Sequence, residues 1–243
     1  MTHLLLMLCL IFGCVSIQSN GVVPTDPKTL KVLTINLCAD WKASRQERAD
    51  KIVSFVQNEK IDLILTQEGI RGVGQFDAVK YIAGKIGYSY AQSPAFGVPG
   101  FFEYCVGIIS ATPLSNVQSV GCQVPGGDPI DQVPFPGAGR GILATVGTLR
   151  VLSSHMMAPV SQGNRENQVR CLADSAPMIW GGDFNFNRDN VAYALIGLPE
   201  AAYPGDSQVD MIFGSLPVIE SKAVFTDHYV SDHGGILTTF KRN

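Results

Sequence analysis

The sequence predicts an α/β fold in which helices cover a mixed β-sheet. In the first half of the chain, apolar runs of strand length alternate with amphipathic segments of helical period. In the second half, short strand-like runs follow one another and are separated by turns that contain Gly or Pro. With 46% hydrophobic and only 16% charged residues among 243, the chain can bury a large core, so one compact domain is expected.

The first elements are predicted from hydrophobic pattern and capping signals. Leu30–Ile35 is a near-continuous run of β-branched residues and Leu, which is typical of a strand buried on both faces. Ser44 precedes Glu47 by three residues, the spacing of a capping box, and apolar residues then recur at helical intervals as far as Lys60. The next predicted elements are a strand at Ile61–Leu65 and a helix at Phe76–Ile86.

From Tyr88 onward the pattern changes to strands joined by short connections, with one further helix. A partly antiparallel sheet is therefore expected. The Gly- and Pro-rich stretch Ser93–Glu103 is interpreted as an exposed loop. The predicted strands are Tyr104–Ser110, Asn116–Cys122, Arg140–Thr148, Leu149–Ser154, Met178–Gly181, Val209–Phe213, Val218–Val224 and Gly235–Phe240, and the helix lies between Asn164 and Asp174.

The N-terminal segment has the pattern of an export signal. Leu4–Phe12 is an apolar run followed by polar residues, and it is too short to span a bilayer. We interpret residues 1–19 as a signal peptide, 20–29 as a linker and 30–243 as a single domain, which predicts a secreted or periplasmic protein. Ile11–Cys14 also resembles a bacterial lipobox, so a lipoprotein anchored at Cys14 is the alternative.

The cysteines after the leader leave their pairing open. Cys38, Cys105, Cys122 and Cys171 are an even number that an oxidising compartment can pair in three ways, and they do not have the spacing of a zinc site. Cys105 and Cys122 lie in two predicted strands joined by a short turn, so they could face each other across a hairpin. Two buried free thiols are the alternative.

The overall charge restricts how the protein can attract phosphate. A net charge of -3 provides no general basic surface of the kind that holds a protein on nucleic acid. Any attraction must therefore be local or come from a bound metal ion.

Polar side chains able to bind a metal ion or move protons stand where apolar runs end. In α/β folds such strand ends meet at one rim of a sheet and build the site. Taken singly, each has a plainer explanation, because Glu68 could cap a helix, Asp183 could belong to a turn and His155 could be a hydrogen-bonded core histidine. The residues are Asn36, Glu68, His155, Asp183, Asn185, Asp210, Asp232 and His233.

The order of these segments and their amino-acid sequences resemble those of the endonuclease/exonuclease/phosphatase superfamily, the group that includes secreted deoxyribonucleases. The resemblance extends from Leu30 to Phe240, and Gly-Asp-Phe-Asn is its most specific single piece. The matching pieces are Leu33–Asn36, Thr66–Glu68, Val106–Ser110, Arg140–Ile142, Ser154–His155, Gly182–Asn185, Val209–Phe213 and Ser231–His233.

The resemblance implies a four-layered α/β/β/α sandwich, in which two packed mixed β-sheets are flanked by helices and the active site lies along the upper edge. It also implies a metal-dependent hydrolase of phosphoric esters. Glu68 would be the main carboxylate ligand of Mg²⁺ or Mn²⁺, with Ca²⁺ as a further option. Asn36 and Asp232 would complete an oxygen-rich metal site.

The same resemblance assigns the acid–base groups. Asp183 would orient or deprotonate the attacking water, and Asn185 would hydrogen-bond a phosphoryl oxygen. His233 would polarise or protonate the phosphate, while Asp210 fixes its tautomer. His155 resembles the second histidine of the deoxyribonuclease, sphingomyelinase and inositol-phosphatase branches, and it would protonate the leaving group or contact the phosphate.

The remaining correspondences are less complete. Arg140 resembles the family's phosphate-binding arginine, and a solvated surface arginine is the alternative. Cys38 stands where repair nucleases often have an Asp, so that auxiliary ligand is missing unless Asp40 substitutes. The tyrosine that many members carry before the middle strand has no secure match, because Glu103 and Tyr104 compete for the position.

The sequence leaves three classes of function open, which differ in their substrate. A nuclease acting on DNA or RNA is favoured, with a monomer expected, because simple exported members with two histidines are mostly deoxyribonuclease-like. A hydrolase of phospholipid or inositol phosphate, of the sphingomyelinase or inositol-phosphate phosphatase type, is the alternative. Phe96, Phe101 and Phe102 could touch a membrane unless their rings pack onto the core. A non-catalytic binding scaffold is the third class, and retention of both histidines and the carboxylates argues against it.

Overall fold

The computed structural model of the protein describes residues 15–18, 26–37, 44–98, 101–121, 141–156, 161–201 and 209–242. These residues form two packed β-sheets with helices against both outer faces. The predicted fold class, a four-layered α/β/β/α sandwich, is confirmed.

The larger sheet, called sheet A, has seven strands. They are β1 (Ser16–Gln18), β2 (Thr29–Asn36), β3 (Leu63–Arg71), β4 (Ser89–Val98), β5 (Phe102–Ser110), β11 (Val218–Val224) and β12 (Gly235–Lys241). Across the sheet their order is β1-β4-β5-β3-β2-β12-β11, and β2 and β3 are its parallel neighbours. The carboxyl ends of β2 and β3 therefore lie at the same edge.

The smaller sheet, called sheet B, has five strands in the order β10-β9-β8-β7-β6. They are β6 (Leu114–Val120), β7 (Gly141–Val146), β8 (Leu149–His155), β9 (Ile179–Asp183) and β10 (Asp210–Gly214). Strands β8 and β9 are parallel, which places the carboxyl ends of this pair together as well.

Helices connect the strands of the two parallel pairs, because parallel neighbours need a crossover connection. The described helices are α1 (Arg45–Glu59), α2 (Ala78–Ile86), α3 (Gln162–Ala173) and a short 3-10 helix (Val191–Leu195). Helix α1 follows Ser44, whose side chain accepts a hydrogen bond from the backbone N–H of Glu47 at 3.4 Å, so the predicted capping position is confirmed. Helix α2 ends at Gly87, which adopts the left-handed conformation with φ 74°.

Three hydrophobic clusters separate the four layers. In β2, Leu33 and Ile35 pack against the helices, whereas Leu30 and Val32 pack between the two sheets. This double burial explains why the run is apolar at every position. The third cluster, between sheet B and α3, is built around Trp180.

The hairpin predicted for Cys105 and Cys122 is wrong, because the strands that follow one another here belong to different sheets. Strand β5 pairs with β3 and β4 in sheet A, whereas β6 pairs with β7 in sheet B. Cys105 is a buried free thiol whose pKa is raised to about 12 by burial. Cys171 is disulfide-bonded. Cys38 and Cys122 lie outside the described residues.

The loop predicted at Ser93–Glu103 is also wrong for most of its length. Strand β4 continues to Val98 and β5 resumes at Phe102, so these residues form the end of a hairpin. A shift of register between Pro94 and Phe96 accommodates the proline, which cannot donate to the ladder.

The N-terminal end of the described chain adds one edge strand. Ser16–Gln18 pairs with β4, and the Ser16 hydroxyl accepts a hydrogen bond from Arg71 at 2.7 Å. This strand falls within residues 1–19, and the signal peptide stays a prediction. Among the described residues, no helix is both long enough and apolar enough to cross a membrane.

The close approach of β9 to β8 gives a stability test. A Cβ atom on Gly182 would lie 2.0 Å from the backbone oxygen of Ser154, whereas a Cβ on Gly84, in α2, would meet nothing within 4 Å. We expect Gly182→Ala to lower the free energy of unfolding by about 1–3 kcal/mol, as for other overpacked sites. We expect Gly84→Ala to raise it by about 1 kcal/mol or less, because Ala is the better helix former. Urea unfolding of both variants checks this, and equal effects would contradict it.

Candidate active site

The ends of four strands bring the predicted site residues to one edge of the sandwich, called the upper edge. Asn36 ends β2 and His155 ends β8. Asp183 ends β9 and is paired directly with Asp210, the first residue of β10. The convergence results from the two parallel pairs, because their carboxyl ends point the same way.

Glu68 reaches this edge through an irregularity in β3. Its φ of 53° is in the left-handed region, and the pairing of β3 with β5 shifts register between Thr66 and Gly69. A β-bulge of this kind changes the direction of a side chain, and a non-glycine residue in this conformation costs about 1–3 kcal/mol. The strain at Glu68 is therefore consistent with a functional demand on its carboxylate.

Asp183 is the centre of the site. Its carboxylate is 1% exposed, and Oδ2 accepts a hydrogen bond from the Asn36 amide at 3.1 Å. The same oxygen lies 3.5 Å from Nε2 of His155 and 3.6 Å from Nδ1 of His233. The Asn36 amide also donates to Oε1 of Glu68 at 3.1 Å, so one amide group links the carboxylates of the two sheets.

His233 lies among three carboxylates. Its Nδ1 is 3.0 Å from Asp210 Oδ2, and its Nε2 is 3.4 Å from Asp232 Oδ2. The hydrogen bond to Asp210 is the main cause that raises the pKa of His233 to about 9, and the charges of Asp210, Asp183 and Asp232 add to it against the opposing effect of burial. The imidazole is therefore protonated at neutral pH and can donate to an anion.

Asn185 is held in a tight turn after β9. Its backbone N–H donates to Asp183 Oδ1 at 2.9 Å, and its φ is 52°. Its side-chain amide donates to the backbone oxygen of Met156 at 2.7 Å. Because an amide nitrogen carries two hydrogens, a contact with phosphate would have to use the second one.

The donor atoms fit a hard divalent cation. Glu68, His155 and Asp183 each offer one ligand atom within 4.8 Å of the others, and so do Asp183, Asp210 and His233. Carboxylate and amide oxygens with accompanying waters are what Mg²⁺ prefers. The predicted ligands Asn36 and Glu68 are in contact with each other.

The third predicted ligand is placed differently. Asp232 belongs to neither of these two groups of described residues, and its carboxylate lies beside Nε2 of His233. The metal-ligand assignments of Asn36, Glu68 and Asp232 stay predictions, as do the catalytic roles.

Three further sequence predictions concern the phosphate-binding arginine, the auxiliary ligand and the tyrosine before the middle strand. Arg140, Cys38 and Asp40 lie outside the described residues, so the phosphate-binding arginine and the auxiliary ligand stay predictions. Glu103 forms an ion pair with Arg71, and the ring of Tyr104 packs edge-on against Phe102 at 5.0 Å.

Sequence reasoning missed a polar network that lies beneath the site and joins the two sheets. Gln67 is fully buried, and its amide donates to the hydroxyls of Thr34 in sheet A and Ser153 in sheet B, both at 3.3 Å. Ser153 in turn donates to the backbone oxygen of Thr66 at 3.2 Å. The available signal was Thr34, a polar residue inside the Leu30–Ile35 strand, whose pattern predicts burial on both faces.

It also missed Arg48, a buried arginine of α1. The available signal was its position four residues before Ile52 and eight before Val56, which places a cation on the apolar face of the helix.

A family model described as the endonuclease/exonuclease/phosphatase family matches residues 33–233. The chain belongs to the endonuclease/exonuclease/phosphatase family. Members of this family are typically divalent-metal-dependent hydrolases of phosphoester bonds. No curated protein matches the chain by sequence.

Solved structures of endonuclease/exonuclease/phosphatase proteins share its fold. A family protein from Leptotrichia buccalis C-1013-b has a TM-score of 0.68 at 19% identity, covering 88% of this chain and 100% of that one. An AP endonuclease from Archaeoglobus fulgidus has a TM-score of 0.63 at 17% identity, covering 87% and 99%. D. rerio TDP2 in complex with a single-stranded DNA product has a TM-score of 0.61 at 17% identity, covering 88% and 99%.

The protonation of His233 gives a direct test of the electrostatics at the upper edge. We expect Asp210→Asn to lower the pKa of His233 from about 9 toward its ordinary 6.5, because the main partner of the charged imidazole is lost. An NMR titration of the His233 ring in metal-free protein measures the change. Asp174→Asn, which removes an exposed carboxylate, is the control.

The same raised pKa has a consequence for stability. The contribution of His233 is fully present below pH about 6.5 and is lost as pH rises through about 9, because the folded state binds the proton more tightly than the unfolded state. The Asp210→Asn variant should lose less stability over this interval than the wild type. A pKa of His233 that is the same in both proteins would contradict the assignment.

Proposed function

We propose that the protein is an exported, divalent-metal-dependent phosphodiesterase whose substrate is DNA, with RNA as a second nucleic acid substrate. The observation that carries the proposal is the convergence of Asn36, His155 and His233 on the buried carboxylate of Asp183, beside Glu68. Two structural neighbours, an AP endonuclease and TDP2 bound to a single-stranded DNA product, support nucleic acid as the substrate class.

Two groups, a bound cation and a protonated imidazole, would neutralise the negative charge of the phosphate. A divalent cation held by Glu68 and Asn36, with Asp232 as the third ligand, would polarise a phosphoryl oxygen as a Lewis acid. The protonated imidazole of His233 would donate to another phosphoryl oxygen and so stabilise the charge that develops in the transition state. Local positive charge of this kind is compatible with the net charge of -3.

The proposal gives Asp183 the task of orienting or deprotonating the attacking water. Two imidazoles and an amide N–H face its carboxylate, and these contacts would hold the carboxylate oxygens in a fixed orientation toward the water. Asn185 follows in the same turn and would donate its second amide hydrogen to the phosphate. Arg140 would grip the phosphate as well, as the family resemblance implies.

His155 would protonate the departing oxygen. Its ring is partly exposed, and Nε2 lies between Glu68 and Asp183, at 3.8 and 3.5 Å. An imidazole between two carboxylates can take up a proton and release it to a leaving group. Asp210 would act through His233, whose ring it holds in place by the hydrogen bond to Nδ1.

A phospholipid or inositol phosphate substrate is the second candidate, and one surface feature favours it. Val98 and Phe101 at the end of the β4–β5 hairpin are 54% and 69% exposed, and Val73 is 74% exposed. Gly72 approaches the backbone of Phe101 closely, so these apolar side chains lie on neighbouring segments beyond Glu68. Apolar residues exposed in this way can enter a lipid surface. A non-catalytic scaffold is disfavoured by the complete set of acid–base groups.

Hydrolysis assays with a matched pair of variants test the function. We expect the protein to degrade plasmid DNA in Mg²⁺ and to lose activity with a chelator. Glu68→Gln should lower the rate about a hundredfold or more, because a bound cation contributes several kcal/mol to the transition state. Glu59→Gln, at the last residue of α1, should keep the wild-type rate.

The same assay with RNA, sphingomyelin vesicles and soluble inositol phosphates separates the candidates. Cleavage of lipid without cleavage of DNA would overturn the nuclease proposal in favour of the second candidate. Loss of activity in Glu59→Gln equal to that in Glu68→Gln would contradict the assignment of the site.

The two histidines give a further prediction. His155→Ala and His233→Ala should each lower kcat by about a hundredfold or more, as is usual when an acid–base group is removed. Turnover rates at saturating substrate, together with thermal unfolding of each variant, distinguish loss of chemistry from loss of folding. A stable variant with near-wild-type turnover would leave that histidine with a structural role.

A further inference from the structure

Arg48 occupies a position that is unfavourable for a cation unless it has a specific task. It is the fourth residue of α1, at the end of the first turn, and it is only 3% exposed. Burial removes the guanidinium from water, and the N-terminal end of a helix carries partial positive charge that repels a cation. The contacts of Arg48 therefore have to account for its presence.

Those contacts join two segments that both carry predicted site residues. Nη1 donates a hydrogen bond to the backbone oxygen of Leu37 at 2.7 Å and to that of Val230 at 3.2 Å. Leu37 follows Asn36 directly, and Val230 precedes Asp232 by two residues. One side chain thus holds the end of β2 against the segment between β11 and β12.

The same helix makes further contacts with this segment, residues 225–234. The Tyr229 hydroxyl donates to Glu47 at 3.2 Å, and the ammonium group of Lys51 lies 3.4 Å from the centre of the Tyr229 ring. The ring of Phe225 packs edge-on against Phe55 at 4.8 Å. Residues 225–234 belong to no strand, so their position is fixed by these contacts with α1 and by the hydrogen bond between His233 and Asp210 rather than by a sheet ladder.

A cavity connects Arg48 to the upper edge. Arg48, Leu37 and Val230 line it together with Glu68. Loss of the guanidinium would therefore enlarge a space that borders the carboxylate of Glu68, in addition to releasing residues 225–234.

We propose that Arg48 is a positioning residue that fixes Asp232 and His233 relative to Asn36 and thereby sets the affinity of the protein for its divalent cation. The inference rests on the proposed function, because it takes Asn36, Glu68 and Asp232 as the ligands. Ligand oxygens must lie at a well-defined distance from the ion, and substitution of residues that orient ligands typically costs about 10–100-fold in metal affinity. Arg48 itself does not touch the substrate or the ion.

The test measures Mn²⁺ binding by electron paramagnetic resonance, alongside kcat and KM for DNA in Mg²⁺. We expect Arg48→Met to raise the Kd for Mn²⁺ by about tenfold or more and to lower kcat with little change in KM. Arg48→Lys should recover part of both losses, because an ammonium group can still donate to a backbone oxygen. Tyr229→Leu, a change at the surface, should shift the Mn²⁺ affinity in the same direction by a smaller factor.

Val56→Ala is the matched control, since Val56 lies two turns further along the same buried face of α1 and does not line the cavity. It should lower thermal stability and leave the Kd for Mn²⁺ unchanged. Wild-type Mn²⁺ affinity in Arg48→Met, or an equal loss in Val56→Ala, would overturn the inference while leaving the proposed function intact. Failure of the wild type to bind Mn²⁺ would overturn the inference and the proposed function together. Mn²⁺ binding that depends on Arg48, in a protein that does not hydrolyse DNA, would overturn the proposed nuclease function alone.

Discussion

The buried carboxylate of Asp183 is the constraint on which the rest of the structure depends. A charge removed from water is tolerated in a protein only where hydrogen bonds and opposite charges compensate it. Its partners come from both sheets, because Asn36 ends a strand of sheet A and His155 ends a strand of sheet B. The two sheets must therefore pack with the ends of their parallel strands at one edge.

Several features that appear separate in the sequence serve this single arrangement. Glycine at position 182 lets β9 lie close to β8, which brings Asp183 level with His155. The Gln67 amide joins the sheets directly below, and the left-handed conformation of Glu68 directs its carboxylate to the same edge. The site and the packing of the sheets are thus specified together.

The strands nearest the site could be predicted because their burial and their chemistry are both local signals. The Leu30–Ile35 run is apolar on both faces, and its end at Asn36 is visible without any tertiary information. The hairpin of β4 and β5 could not be predicted from the sequence. Pro94 and Gly97 indicate a loop unless the register shift and the φ of 127° at Gly97 are known. The sequence left Cys105 open between a place opposite Cys122 in a hairpin and a buried free thiol, since sequence alone does not show that consecutive strands belong to different sheets. The place of Arg48 on the apolar face of α1 can be read from the sequence, but its partners cannot, because they are backbone oxygens.

The central proposal is that a divalent cation binds at the upper edge, held by Glu68, Asn36 and Asp232, beside the buried carboxylate of Asp183. Anomalous diffraction from crystals grown in Mn²⁺ tests it most directly. The proposal predicts an anomalous peak on the order of 2 Å from a carboxylate oxygen of Glu68, with the Asn36 side chain and the Asp232 carboxylate next to the ion. A strong peak elsewhere on the protein, with the Glu68 carboxylate contacting only protein atoms, would contradict it.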